Sequence, residues 1–132
     1  VESLLADLAR QDIWLGVVSN KNGAFLRKEA ERLGWSGYFG RLIGATDAAE
    51  DKPSPAPVLM ALEGSGLSPN EQVWFVGDAL IDMHCAINAG CTPILIRESD
   101  PYPGEFDSHP PRQYLAGCDD LATLLRELSV PM

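Results

Sequence analysis

Two carboxylates that follow an apolar run are the residues of this chain best suited to chemistry. Residues 73–76, Val-Trp-Phe-Val, are typical of a strand buried on both faces, and Gly77 and Asp78 end that run. Asp82 follows four residues later, in the first turn of a predicted helix. Because two carboxylates facing one crevice repel each other, they predict a cation beside them, and oxygen ligands suit Mg²⁺. A simpler interpretation also fits, in which Asp78 caps the helix and Asp82 complements its dipole.

A second polar pair, Ser19 and Asn20, ends another apolar run. Residues 13–20 read Ile-Trp-Leu-Gly-Val-Val-Ser-Asn, which predicts a buried parallel strand that stops at the ligand side of a sheet. The hydroxyl, the amide and the first N–H groups of the following helix are together suited to binding a phosphate. An ordinary N-cap role for Ser19 or Asn20 is the alternative.

Lys52 is the single cation of a polar, proline-rich segment, residues 46–57. Prolines limit the movement of this predicted loop, so a lysine held there can place a point charge on a phosphate. The alternative is a surface ion pair with one of the neighbouring acids, which are Asp47, Glu50 and Asp51.

Apolar runs and helical periodicities alternate along the chain, and they indicate the elements that position these residues. Strands are predicted at residues 13–20, 42–45, 73–77, 92–96 and 113–116. Helices are predicted at 2–11, 22–34, 58–65, between Asp78 and Gly90, and at 120–128, with a long Pro/Gly-rich loop at 98–113. This order predicts a single α/β domain over residues 1–132, with a Rossmann-like parallel sheet flanked by helices.

Charge and cysteine content narrow the classes of partner and compartment. A formal charge of −9 argues against binding nucleic acid or an anionic membrane through bulk charge, so an anionic substrate has to be bound by local groups. No apolar stretch is long enough to span a membrane and no signal peptide is evident, which predicts a cytoplasmic protein. The three cysteines lack a C-x-x-C pairing and predict reduced thiols.

Three segments taken in order resemble a known family. A strand ending Val-Val-Ser-Asn, a lysine in Asp-Lys-Pro-Ser-Pro, and a strand ending Val-Gly-Asp with a second Asp four residues on resemble the haloacid dehalogenase-like (HAD) hydrolase superfamily. The amino-acid sequence of these segments, between residues 13 and 96, is most similar to that of the phosphoglycolate phosphatase branch.

The resemblance implies a role for each candidate residue. It implies that Ser19 and Asn20 bind the phosphate, that Lys52 binds it and acts in catalysis, and that Asp78 binds Mg²⁺. It implies that Asp82 supports the metal directly or through water. The implied reaction is hydrolysis of a small phosphorylated metabolite through an aspartyl-phosphate.

One motif of the family departs from this sequence. The family's nucleophile lies in a D-x-D motif at the end of a central strand, and no D-x-D occurs in the 132 residues, nor does a cap insertion. The chain therefore resembles the carboxyl-terminal part of the core, and we expect no phosphatase turnover from it alone. Without the central strand, the strands at 13–19 and 73–77 are expected to stand about 9.6 Å apart, twice the usual strand spacing. We expect this gap to be open, with the central strand in a segment outside these residues. The alternatives are that another chain supplies the strand, or that the two strands close up and pair directly.

Two other classes of protein remain as alternatives. The first is a catalytically inactive module that binds phosphate and metal or interacts with a partner. The second is a receiver-like phosphoacceptor, which also needs an early acidic cluster that this sequence does not contain.

Overall fold

Strands and helices alternate along the chain in the order that the sequence predicts. The computed structural model describes residues 2–10 and 13–121. The helices are α1 (Glu2–Arg10), α2 (Gly23–Leu33), α3 (Ala56–Ala61) and α4 (Leu80–Ala89). The strands are β1 (Gly16–Asn22), β2 (Arg41–Ala45), β3 (Trp74–Gly77), β4 (Thr92–Ile96) and β5 (Gln113–Leu115), and a 3₁₀ turn spans Ser36–Tyr38.

All strand pairs in the described residues are parallel, which confirms the predicted α/β class. β1 pairs with β2, with Val17 opposite Leu42. β3 pairs with β4, and β4 pairs with β5, with Val76 opposite Ile94 in the first of these pairs. The strands thus form a two-stranded and a three-stranded sheet. Within the described residues no backbone hydrogen bond joins β1 to β3, as we expected for these two strands.

An apolar groove lies between the two sheets. It has a volume of about 250 Å³, and its walls include Trp14, Val17 and Val18 on one side and Trp74 and Val76 on the other. We call this feature the interstrand groove. It lies where the expected gap between the two strands falls.

The two strands beside the interstrand groove are less buried than the sequence predicts. Val76 is 38% exposed and Ile13, just before β1, is 39% exposed, whereas both apolar runs were predicted to be buried on both faces. In β4, by contrast, Ile94 and Leu95 are fully buried. The difference arises because β4 has a neighbour on each side, whereas β1 and β3 each pair along one edge only in the described part of the chain.

The helix boundaries follow local sequence signals. α1 buries Leu4, Leu5 and Leu8, as its amphipathic pattern predicts. α2 and α4 end at Gly34 and Gly90, whose φ values of 76° and 78° are left-handed and favour glycine.

One predicted helix has different bounds in the structure, and most of another lies outside the described residues. α3 occupies residues 56–61 and not 58–65, because its first turn tolerates proline and Gly64, with a φ of 83°, follows its end. Most of the helix predicted at 120–128 lies outside the described residues. No helix of the described ranges is long and apolar enough to cross a membrane.

Candidate functional site

Lys52 and Asp82 form a buried ion pair beside the tip of β3. Lys52 Nζ lies 2.5 Å from Asp82 Oδ1, and the two side chains are only 10% and 9% exposed. The alternative of a surface ion pair with a neighbouring acid is therefore wrong for Lys52. Of those acids, Asp47 pairs with Arg27 at 2.8 Å. A lysine charge buried at a strand tip is available to a ligand only at that tip.

Asp82 also fixes the backbone at the end of β3. Its second oxygen, Oδ2, accepts a hydrogen bond of 3.1 Å from the N–H of Asp78. Gly77 permits this contact, because a Cβ at that position would lie 2.3 Å from the Cβ of Asp82. Asp82 thus connects the lysine, the strand tip and the first turn of α4.

One face of α4 holds the loop that carries Lys52. Asp82, Cys85 and Asn88 are spaced three residues apart, so they lie along one side of the helix. The Cys85 thiol donates to the Ser54 carbonyl at 3.3 Å, and the Asn88 amide donates to the Pro53 carbonyl at 2.9 Å. Three successive loop residues are therefore held by three side chains of α4.

Alkaline pH is expected to destabilise this part of the fold through Cys85. Burial raises the pKa of the Cys85 thiol to about 11. The folded state keeps the proton while the unfolded chain loses it above about pH 8.5, so stability is fully present below that pH. We expect a loss on the order of 2 kcal/mol as pH rises from about 9 to about 11. Urea unfolding at pH 8 and 10.5 measures the loss. It should shrink in Cys85→Ala, and an equal loss in that variant would contradict the assignment.

The Asp78 carboxylate is exposed at the strand tip and makes no hydrogen bond or ion pair with the described residues. The helix that follows has Ala79 at its N-cap position and no side-chain cap, so the capping alternative for Asp78 is wrong. Within residues 2–10 and 13–121, no three His, Cys, Asp or Glu side chains lie close enough to hold a metal ion together. A lone exposed carboxylate still fits Mg²⁺, because that ion keeps several waters and often takes one or two protein carboxylates.

Ser19 and Asn20 lie within β1, which continues two residues further than predicted. The N-cap of α2 is Asn22, whose side chain accepts hydrogen bonds from the N–H groups of Ala24 and Phe25. The capping alternative for Ser19 and Asn20 is therefore wrong, because Asn22 has that role. The Ser19 hydroxyl instead accepts from the Lys21 N–H at 3.1 Å. In the described residues no hydrogen bond or ion pair joins Ser19 or Asn20 to Lys52.

A further charged pair, which sequence reasoning missed, contacts the same strand tip. Arg97, directly after β4, donates to the Asp78 carbonyl at 3.3 Å. It also forms a bidentate ion pair with Glu105. The Arg97 hydrogen bonds lower the pKa of Glu105. Arg97 also lies over the ring of Phe106, 5.2 Å from its centroid. The position of Arg97 at a strand end was the one sequence signal that could have found it.

These features define a class of protein, an α/β fold with parallel strands in which Lys52, Asp78 and Asp82 lie together at the tip of one strand. Residues 1–96 match the haloacid dehalogenase-like hydrolase family, and the chain belongs to that family. The resemblance seen in the sequence is thus confirmed, and the similarity lies with the phosphoglycolate phosphatase branch.

Three relatives illustrate the similarity. The chain is 38% identical over 94 residues to the phosphoglycolate phosphatase of Pectobacterium atrosepticum, covering 71% of this chain and 40% of that protein. It is 32% identical over 125 residues to the phosphoglycolate phosphatase of Escherichia coli K12, covering 95% and 49%. The crystal structure of a HAD-superfamily hydrolase from Ehrlichia chaffeensis aligns with a TM-score of 0.82 and 33% identity, covering 96% of this chain and 56% of that one. The chain spans about half the length of the curated relatives it matches.

Proposed function

We propose that this chain forms the phosphate- and metal-binding part of a phosphomonoester hydrolase that acts through an aspartyl-phosphate, with a small phosphorylated metabolite of the phosphoglycolate type as substrate. The observation that carries the proposal is the buried Lys52–Asp82 pair, held against the Asp78 backbone at a strand tip. Burying a lysine and an aspartate costs free energy, so their placement at the ligand edge favours a functional role. The similarity to two phosphoglycolate phosphatases supports the choice of substrate.

Each candidate residue has a role that follows from its chemistry. Lys52 offsets the negative charge of the phosphoryl group as that group is transferred, which makes it catalytic as well as phosphate-binding. Ser19 and Asn20, on β1, donate hydrogen bonds to the phosphate oxygens. Asp82 keeps Lys52 oriented, because movement of the ammonium out of its 2.5 Å contact would leave the Asp82 carboxylate buried without a counter-charge.

Mg²⁺ is the cofactor that the free Asp78 carboxylate suits. Asp78 would be a direct ligand, and Asp82 would support the ion through its hold on the Asp78 backbone. When bound, Mg²⁺ supplies charge neutralisation and orientation of the phosphoryl group. We also propose a cytoplasmic location, in keeping with the three free thiols.

Asp78→Asn is expected to weaken Mg²⁺ binding. Because the Asp78 carboxylate is exposed and forms no hydrogen bond or ion pair within the described part of the chain, we expect titration calorimetry to show affinity reduced by about tenfold or more. Asp107→Asn, which also removes one exposed carboxylate, is the matched control and should bind Mg²⁺ like the parent chain. Identical binding by the parent and Asp78→Asn would show that the metal does not bind at this residue.

The interstrand groove is the proposed binding place of the nucleophile strand. We propose as its occupant an apolar strand that ends in Asp-x-Asp and comes from outside these 132 residues. Buried backbone groups that lack hydrogen-bond partners cost about 1–3 kcal/mol each, so two facing strand edges strongly favour an inserted strand. The half-exposed apolar side chains of β1 and β3 would become buried by it, which restores the burial that their sequences predict.

Tryptophan fluorescence tests this insertion, because Trp14 and Trp74 both line the groove. A synthetic peptide of five β-branched apolar residues followed by Asp-x-Asp should change the emission on binding. Val76→Lys, on the groove wall, is expected to weaken peptide binding at least about tenfold, because it puts a charge against the apolar strand. The matched control is Ile87→Lys on α4, since Val76 and Ile87 are 38% and 39% exposed. Equal binding by the two variants would place the peptide elsewhere.

The same peptide distinguishes the proposed enzyme from an inactive binding module. The inactive module is the second candidate because the 132 residues contain no D-x-D motif. Release of phosphate from p-nitrophenyl phosphate by the chain with the peptide, and by neither alone, supports the hydrolase. Peptide binding without any release supports the inactive module.

A further inference from the structure

The Arg97–Glu105 pair lies next to the strand tip but takes no part in the proposed chemistry. Arg97 Nη1 donates to the Asp78 carbonyl at 3.3 Å and to Glu105 Oε2 at 2.9 Å, while Nη2 contacts Glu105 Oε1. The two side chains are 18% and 12% exposed. The hydrogen bonds to Glu105, and to a smaller extent the negative charge of the nearby Asp78 carboxylate, raise the pKa of Arg97, so the guanidinium lies close enough to attract that carboxylate.

A free guanidinium at this position would compete with a cation for Asp78. Opposite charges a few ångströms apart attract strongly, and an arginine presents a fork of donors that matches a carboxylate. In this structure that fork is engaged by Glu105 instead, and Nε donates to the Ser99 carbonyl at 3.1 Å. The Asp78 carboxylate consequently remains without a hydrogen bond or ion pair among the described residues.

The geometry points to Glu105 as a positioning residue that holds the Arg97 guanidinium in a bidentate pair, so that Arg97 forms no direct ion pair with the nearby Asp78 carboxylate and that carboxylate stays available to a divalent cation. This inference rests on the proposed function for its ligand, the divalent cation. The pairing of Arg97 with Glu105, and not with the Asp78 carboxylate, does not depend on that ligand. Glu105 is held in place for this task, because it also accepts a hydrogen bond of 3.2 Å from the Tyr102 N–H. Tyr114 holds the Arg97 end, with its hydroxyl 3.1 Å from the Arg97 carbonyl.

Mg²⁺ titration of a double-mutant set tests the inference. In Glu105→Gln the guanidinium loses its ionic partner and keeps only one neutral acceptor at position 105, so it should pair with the charged Asp78 carboxylate, and Mg²⁺ affinity should fall about tenfold. Removing the guanidinium as well, in Arg97→Gln/Glu105→Gln, should restore the affinity to within about threefold of the parent chain. A double variant that binds as weakly as Glu105→Gln would overturn the inference, since a purely structural pair predicts no rescue. Unchanged affinity in Glu105→Gln would also overturn it.

A metal-free measurement separates this inference from the proposed function. If no variant or parent binds Mg²⁺, the proposed metal site fails, but the pairing of Arg97 can still be read from urea unfolding. Asp78→Asn should leave the unfolding midpoint of the parent chain nearly unchanged and should lower it in the Glu105→Gln background, where a new Arg97–Asp78 pair is lost. The same small shift in both backgrounds would contradict the inference.

Discussion

Asp82→Ala is expected to lower the free energy of unfolding by about 3–5 kcal/mol, because it leaves the buried Lys52 ammonium without its counter-charge. The pair is 2.5 Å apart and the lysine side chain is 10% exposed, so water cannot replace the lost carboxylate easily. The substitution also removes the acceptor of the Asp78 N–H. Urea unfolding at neutral pH measures the loss, and a loss under about 1 kcal/mol, the size expected of an exposed pair, would contradict the buried pair.

Two controls separate the buried charge from other effects of Asp82→Ala. Glu29→Ala breaks the exposed ion pair with Lys21, whose members are 46% and 42% exposed, and should cost less than about 1 kcal/mol. Lys52→Met/Asp82→Leu removes both charges and keeps apolar volume, so it should recover most of the loss of the single variant. A double variant as unstable as Asp82→Ala would mean that packing, and not the unpaired charge, carries the cost.

Local sequence patterns predicted those elements whose structure depends mainly on neighbouring residues in the chain. The apolar run at residues 92–96 gave a buried strand, and Gly34 and Gly90 marked two helix ends, because a left-handed residue is needed there and glycine adopts it without a Cβ clash. The exposure of Val76 was not predictable in this way. An apolar run predicts a buried strand, but it does not show whether the neighbouring strand of the sheet belongs to the same stretch of sequence.

The site was predictable at the level of residue type but not of partner. Lys52, Asp78 and Asp82 were chosen from the sequence as candidates on a loop, a strand tip and a first helical turn, and the structure brings the three together beside the tip of β3. That Lys52 pairs with Asp82, 30 positions away, and not with the nearer Asp51, depends on how α4 packs against the loop. Long-range side-chain partners of this kind leave no periodic signal.

The role of Arg97 and the contact between His84 and His109 were not predicted, for the same reason. Arg97 meets Glu105 through the turns of a loop in which no regular structure was predicted. His84 on α4 and His109 in that loop stack with their ring centroids 3.8 Å apart. In each pair, the two members are neighbours only because the loop folds back over α4 and β4.

Gly77→Ala is expected to cost about 3 kcal/mol and to disturb the site, because the added Cβ has no space. That Cβ would lie 2.3 Å from the Cβ of Asp82 and 2.6 Å from its carboxyl carbon. Either the strand tip or the first turn of α4 has to move, and both movements weaken the hydrogen bond from Asp78 to Asp82 and the contact with Lys52. Urea unfolding should therefore show lower stability, and titration calorimetry should show weaker Mg²⁺ binding than the parent chain.

Gly37→Ala is the matched control for this last substitution, because a Cβ there meets no atom within 4 Å. It should change stability by no more than about 0.5 kcal/mol. A mutant cycle then tests the clash itself: in an Asp82→Gly background, which has no Cβ at position 82, the added methyl group of Gly77→Ala should cost clearly less than in the parent chain. The same cost in both backgrounds would show that the methyl group does not meet Asp82. In that case the backbone of β3, and not its approach to the first turn of α4, would be the reason that glycine fits this strand tip.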